Sequence, residues 1–277
     1  MPEDAVSLEE SYDAYPRVEA AFQAFLDQSL HPRGPEILYK LVGSLNLPTA
    51  ATVVDVGCGE GVQTLELARR FGFDIHGIDP IERHIALGRE ALVTAADAIR
   101  LGSVRFSLGS AEDLPLDDSS VDLIWCREVL MYADLDRAFS EFHRVVRPGR
   151  HGLVYQVFTG PRMSDDEAKE FWRSQGVDAS SVRPHDVEEA IAHAGLVIEQ
   201  RVEFGSEWGE RAEESTGAGT QRLLHVARLL RNPDRYIGQF GQVAYRIMVG
   251  DCLWHVYRMI GKLTGCAYVF TKPLGEA

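Results

Sequence analysis

The sequence predicts an α/β protein in which strands alternate with helices. Three observations carry this. Thr52–Val56 is a short β-branched run, the pattern of a buried strand. Three glycines at alternate positions follow it, Gly57, Gly59 and Gly61, and after them come apolar residues at helical spacing from Val62 to Arg70. The same alternation then recurs down the chain, with strand-like runs at 73–79, 104–108, 121–126 and 152–158. Strand, glycine turn, helix is the first unit of a nucleotide-binding sheet. Glycines let the backbone turn sharply and let a ligand approach it, and the helix start offers unpaired N–H groups.

Composition narrows the class. The chain has 277 residues, 45% of them hydrophobic, enough for one large domain or a domain with an insertion. The formal net charge of −14 disfavours nucleic acid and an anionic membrane surface, since a phosphate backbone needs a basic face. No run of apolar residues reaches membrane-spanning length, and the acidic N-terminus, Met1–Pro2–Glu3–Asp4, is unlike a targeting peptide. The four cysteines, Cys58, Cys126, Cys252 and Cys266, lack metal-ligand spacing, so free thiols and a cytoplasmic location are expected, and no metal site. Arg outnumbers Lys 24 to 4, a compositional hint of a GC-rich bacterial genome.

The glycine spacing selects the ligand. A dinucleotide fingerprint reads G-x-G-x-x-G. Here the pattern is D-x-G-x-G-x-G, with Asp55 two residues before the first glycine. A carboxylate there repels a pyrophosphate and suits an ammonium group. The stretch resembles motif I of the class I S-adenosylmethionine (SAM)-dependent methyltransferases. The downstream segments follow that family's order. The run 73–79 ends in Asp79, 18 residues after Gly61 and followed by Pro80 and a helix over 83–99. An acid at that strand end accepts hydrogen bonds from ribose hydroxyls, and it can also cap the next helix. Gly109–Leu116 is similar to the family's G-D-A-E-D-L-P-F segment beside the adenine. Ser110 stands where the family often has Asp, which shifts the expectation to the backbone of Ala111 and the side chain of Glu112. Strand 121–126 runs into Arg127–Leu135, where the resemblance puts Cys126 beside the methionine part of SAM and Tyr132 where relatives carry His near the transferred methyl. A helix over 135–147 then ends at Pro148–Gly149.

The resemblance implies a seven-stranded, mostly parallel sheet with the last strand antiparallel, helices on both faces, an N-terminal helical lid and a helical insertion before the last strand. The expected organisation is a lid over 1–50, a SAM-binding core over 51–204 and 263–277, and a substrate-covering insertion over 205–262. Within the lid, helical spacing covers 18–26 and 37–45, separated by the rigid loop 31–35; by resemblance Tyr12, Tyr15 and His31 face the ligands, His31 on the cofactor side. After strand five, Ser164 caps a helix to Gln175, a helix covers 186–194, strand six covers 196–204, a polar flexible stretch runs to Gly219, two helices occupy 221–231 and 237–259, and the last strand is 267–271.

Methyl transfer from a sulfonium is an in-line displacement, so positioning dominates and no triad is required. The expected cofactor-binding residues are Asp55, Gly57, Cys58, Gly59, Asp79, Pro80, Ser110, Ala111, Glu112, Cys126 and His31, with SAM as cofactor. Tyr132 and His225 are the expected catalytic residues, His255 on the same insertion ranking beside His225 among the histidines. Tyr12, Tyr15, Tyr132, Trp172 and Trp208 are the expected substrate wall, aromatic faces suiting both a sulfonium and an apolar acceptor. The acceptor expected is a small, largely apolar natural-product-type metabolite methylated at oxygen, nitrogen or carbon. Alternatives are C-methylation of an isoprenoid alkene with coupled cyclisation, a SAM-binding protein without turnover, and, disfavoured by the glycine spacing, a nicotinamide-dependent enzyme. No nucleic-acid or membrane partner is expected, and a homo-oligomer would form through the N-terminal or insertion helices.

Overall fold

The computed structural model describes residues 6–95, 103–177 and 182–275. The chain divides into two compact units, residues 1–32 and 33–277. The first unit carries α1 (Leu8–Leu26), started by a capping box in which Glu10 N–H donates to Ser7 Oγ and Ser7 N–H to the Glu10 carboxylate. Tyr12 and Tyr15 are exposed on α1, and His31 has a left-handed backbone with its N–H donated to Ser29 Oγ.

The second unit opens with α2 (Glu36–Ser44), whose Leu38, Tyr39 and Val42 are buried in the main core; Tyr39 stacks on Trp125 at 5.3 Å. Then come β1 (Thr52–Val56), α3 (Val62–Phe71), β2 (Asp74–Asp79), α4 (Glu82–Ala95), β3 (Val104–Leu108), β4 (Val121–Arg127), α5 (Leu135–Val145) and β5 (Val146–Thr159). The helix expected over 83–99 is α4 as far as Ala95; residues 96–99 lie outside the described residues. The remaining elements are α6 (Asp165–Ser174), α7 (Pro184–His193), β6 (Val197–Gly205), α8 (Glu207–Thr216), α9 (Ala218–Arg231), α10 (Pro233–Phe240), α11 (Gln242–Met259) and β7 (Leu263–Thr271). The sheet order is β3-β2-β1-β4-β5-β7-β6, with β7 antiparallel to both neighbours and every other pairing parallel. The sheet is therefore the seven-stranded, mixed one expected, with an apolar core centred on β1, β4, β5 and β7. Strand order reverses between β1 and β4, which makes the C-terminal edge of these strands a ligand crevice.

Four local expectations are corrected. Pro148–Gly149 does not separate helix from strand: α5 stops at Val145 and β5 starts at once. The dipeptide instead forms an irregularity in β5, with the register jumping between Val121 and Leu123 and Gly149, at φ 72°, donating to Lys272 O at 2.7 Å. The polar stretch 207–216 is the helix α8, because its Glu, Ala and Arg residues favour helix and one buried Trp208 anchors it. The helix expected over 237–259 is two, broken at Gly241, whose φ/ψ of 84°/159° no helix accommodates. Strand β7 starts four residues earlier than expected, at Leu263. Close approach in the last third of the chain depends on Gly209, where a Cβ would sit 2.4 Å from Met259 N. That contact draws α8 onto α11 and sets Trp208 beside Arg258.

Candidate active site

The glycine turn, the end of β2 and the end of β4 meet at the C-terminal edge of the sheet, where Val56 pairs with Ile78 on one side and Cys126 on the other. Gly57 N–H and Cys58 N–H both donate to Ile78 O, at 2.8 and 3.0 Å. Gly57 and Gly59 have φ of 72° and 54°, left-handed values that favour glycine. A Cβ on Gly57 would lie 2.1 Å from Val129 Cγ2, whereas a Cβ on Gly59 would meet nothing within 4 Å. Gly57 is thus required by the protein's own packing, and the space for a ligand opens over Gly59.

Asp79 joins the two strands. Its Oδ2 accepts from Gly59 N at 2.9 Å, and its Oδ1 accepts from Ile81 N at 2.9 Å and lies 3.0 Å from His84 Nδ1. The carboxylate organises the turn before α4 and faces the glycine loop. Pro80 follows it, exposed. Ser110 forms a bridge with Asp113, Ala111 is buried, and Glu112 accepts from Asp134 N at 3.0 Å, which fixes the start of α5.

Asp55 is 2% exposed, and Thr64 Oγ1 donates to its Oδ2 at 2.6 Å. Burial pushes its carboxyl up to about 7, with the Thr64 hydrogen bond and the Arg127 charge opposing. A carboxylate facing an ammonium group is the expectation from the sequence; in the structure Asp55 is buried and ties α3 to β1. Cys126 is fully buried, and burial raises its thiol pKa, so its side chain does not border a ligand; only its backbone reaches the edge. Cys58 likewise packs its side chain inward with Ile85 and Phe106. Trp172 is corrected too: it is fully buried, donates Nε1–H to Thr159 Oγ1 at 2.7 Å, and belongs to the core.

Two cavities flank the end of β4. One, of about 320 Å³, is lined by Pro35, Arg127, Trp208, Gly209, Arg211, Ala212, Ser215, Gly219, His255 and Arg258. The other, of about 480 Å³, is lined by Glu128, Met131, Tyr132, Ser174, Gln175, Ile247, Asp251, Trp254 and His255. His255 lines both, and the consecutive residues Arg127 and Glu128 wall one each. Glu128 has a left-handed backbone, φ 59°, uncommon for a non-glycine residue and characteristic of functional sites. Its N–H donates to Tyr155 O at 2.8 Å, and Arg258 Nη1 donates to its carboxylate at 3.0 Å. Arg258 Nη2 donates to Tyr155 OH at 2.9 Å, Tyr155 stacks on Trp208 at 4.0 Å, and the guanidiniums of Arg127 and Arg258 lie 5.4 and 5.1 Å from the Trp208 ring centre.

Tyr132, on a short 3-10 turn (Leu130–Tyr132), is 61% exposed; burial of its hydroxyl and the Glu128 charge raise its pKa, which disqualifies it as a base near neutrality. His225 does not join it. His225 lines a separate apolar cavity with Arg228, Leu229, Tyr236, Phe240, Ala244, Tyr245 and Met248. Its place at the site is taken by His255, whose pKa burial lowers, leaving a neutral imidazole. Arg127 and Glu128 sit inside a recognised segment and are marked by being charged at a buried strand end. Arg258 and His255 arrive from more than a hundred residues away, and no local pattern marks them. Among the described residues no group of three or more His, Cys, Asp or Glu side chains is placed to hold a metal ion, and no helix is long and apolar enough to cross a membrane.

The strand order, the glycine turn and the acid at the end of β2 define a class of fold, and residues 54–154 within it match the family model described as a methyltransferase domain. Over 113 residues the chain is 40% identical to an uncharacterized methyltransferase of Mycobacterium tuberculosis, an alignment covering 40% of this chain and 42% of that relative. The chain thus spans less than half the length of that relative. Two solved structures share the fold: the cyclase SpnF, with a TM-score of 0.67, 20% identity and coverage of 87% of this chain and 82% of that one, and phosphoethanolamine N-methyltransferase 2 of Haemonchus contortus, with 0.65, 18%, 97% and 61%.

Proposed function

We propose that this protein transfers the methyl group of SAM to a small-molecule acceptor. The observation that carries this reading is the arrangement at the sheet edge: Gly59, with open space above it, hydrogen-bonded to an Asp79 carboxylate that ends the neighbouring strand. SAM supplies a methyl on a sulfonium, already activated for displacement. The residues that fit it are the backbone of Gly57–Gly59, Asp79 for the ribose and the 110–112 turn for the adenine, with the buried Asp55 tying the glycine turn's helix α3 to β1. The solved Haemonchus relative, in complex with S-adenosylhomocysteine, favours the same cofactor.

The chain's own contribution is orientation and exclusion of water. Tyr132 and Trp254 form an aromatic wall for the acceptor, Trp208 a second, and His255 stands between them as a neutral imidazole able to accept a proton from a nitrogen or oxygen acceptor. Tyr12, Tyr15 and His31 are proposed as cover, and α8–α11 as the acceptor-covering insertion. The acceptor is proposed to be a natural-product-type metabolite, handled in the cytoplasm of a bacterium. SpnF is named a cyclase, and that keeps cyclisation in the same pocket as the second reading.

The test is a screen of candidate metabolites with methyl-labelled SAM, followed by single-turnover comparison of wild type with Tyr132→Phe and His255→Gln. Label transfer lost by about a hundredfold in His255→Gln and little changed in Tyr132→Phe is the expected result, the range for a positioned base. Tight SAM binding with no label transferred to any acceptor sinks the transferase reading.

A further inference from the structure

The smaller cavity beside β4 carries a chemical signature of its own. Three arginines line it, Arg127, Arg211 and Arg258, and among the described residues no Asp or Glu does. This occurs in a chain of net charge −14, where a cluster of cations is the exception. Two donors of its lining residues are buried without a hydrogen bond, Arg127 Nε, which has the Glu128 carboxylate 3.8 Å away, and Trp208 Nε1, on a residue only 6% exposed. A buried donor left unpaired costs stability, so the indole N–H of Trp208, beside three arginines of which one is committed to protein partners, points to a ligand as its partner. Arg258 has its fork committed to Glu128 and Tyr155, which fixes its position and leaves its charge over the Trp208 ring. His255 adds no charge near neutrality, since burial lowers its pKa.

We propose that this cavity binds an anionic oxygen group of the methyl acceptor, a carboxylate or a phosphate, received by Arg127, Arg211 and the Trp208 indole N–H. Guanidinium matches both groups bidentately, and an indole N–H can only donate. The inference rests on the methyl-transfer reading and narrows it to an acceptor with an acidic head, the remainder lying towards Tyr132 and Trp254.

The test uses calorimetry on wild type, Arg127→Gln, Arg127→Lys and Arg211→Gln. S-adenosylhomocysteine is titrated first. The loaded proteins are then titrated with sodium phosphate and, separately, with benzoate. The expected result is saturable binding of one probe by wild type, weakened about tenfold or more in both glutamine variants, with the affinity for S-adenosylhomocysteine unchanged. The tighter of the two probes identifies the head group. Should Arg127→Gln fail to fold, Arg127→Lys, which keeps charge and loses the fork, and Arg211→Gln at an exposed position carry the same comparison. Wild type that binds neither probe overturns the proposal, as do variants that bind as wild type does. A loss of S-adenosylhomocysteine affinity in Arg127→Gln matching the loss of probe affinity also overturns it, placing Arg127 on the cofactor. Failure of folded wild type to bind S-adenosylhomocysteine at all removes the methyl-transfer reading instead, and the probes titrated into the unloaded protein still decide the cavity.

Discussion

Asp79 and Asp55 stand 24 residues apart at the ends of neighbouring strands, and the fold treats them in opposite ways. Asp79 collects donors from Gly59, Ile81 and His84. Its replacement by Ala should weaken S-adenosylhomocysteine binding by about 1.5–3 kcal/mol, the loss for hydrogen bonds to a charged group. It should also lower Tm, because the backbone donors of the turn lose their acceptor. Calorimetry and a thermal melt on the same sample check both; unchanged affinity removes Asp79 from the cofactor site. Asp55 is buried with one short hydrogen bond, and its carboxyl holds a proton up to about pH 7 in the folded state, against 3.8 for the ordinary group. The unfolded chain releases that proton first, so Asp55 costs stability as pH rises from about 4 to about 7, and the full penalty stands above that. Asp55→Asn removes the charge at nearly constant shape. Its Tm should equal or exceed that of wild type at about pH 8, with the difference shrinking towards pH 4. A Tm gap independent of pH contradicts the assignment.

At the scale of elements, the glycine turn is built by two separate constraints. Gly59 leaves room for a ligand, while Gly57 leaves room for Val129, the residue that follows Glu128 on the loop after β4. Gly57→Ala should therefore destabilise the protein by about 1–3 kcal/mol through overpacking, with a further cost for the positive φ. Adding Val129→Ala should restore most of the packing part and leave the backbone part. Denaturant midpoints of the two single variants and the double variant measure this; strict additivity shows that the clash is not the cause. Helix α8 shows how an element escapes pattern reading. Residues 207–216 are polar enough to read as a loop, yet the contact at Gly209 and the burial of Trp208 suffice to dock them as a helix. Where the sequence reading put Trp172 and Cys126 at the ligand, the side chains point into the core, because an aromatic or a thiol suits either environment and only packing chooses.

For the whole molecule, a cofactor that binds the folded state alone must raise its stability. S-adenosylhomocysteine at about a hundred times its Kd should add about 2.7 kcal/mol, visible as a rise in Tm, while NAD at the same concentration should add nothing. A shift with NAD instead reverses the reading of the glycine spacing. The architecture itself was largely legible along the chain. β-branched runs, the alternate glycines and the acid at the end of β2 are local patterns with a period or a fixed offset, and they carried the α/β class, the strand sequence and the cofactor edge. What only the tertiary structure decided is the acceptor side. Arg258 and His255 on α11, Trp208 on α8, and Arg127 at the end of β4 with Glu128 just after it come from three distant parts of the chain, and no spacing rule links them. Their meeting depends on how α8 crosses α11, with α8 settling against β6 and Tyr155 of β5 and α11 against β7. Packing of that kind is cooperative and long-range, and for that reason it is not written in any one stretch of sequence.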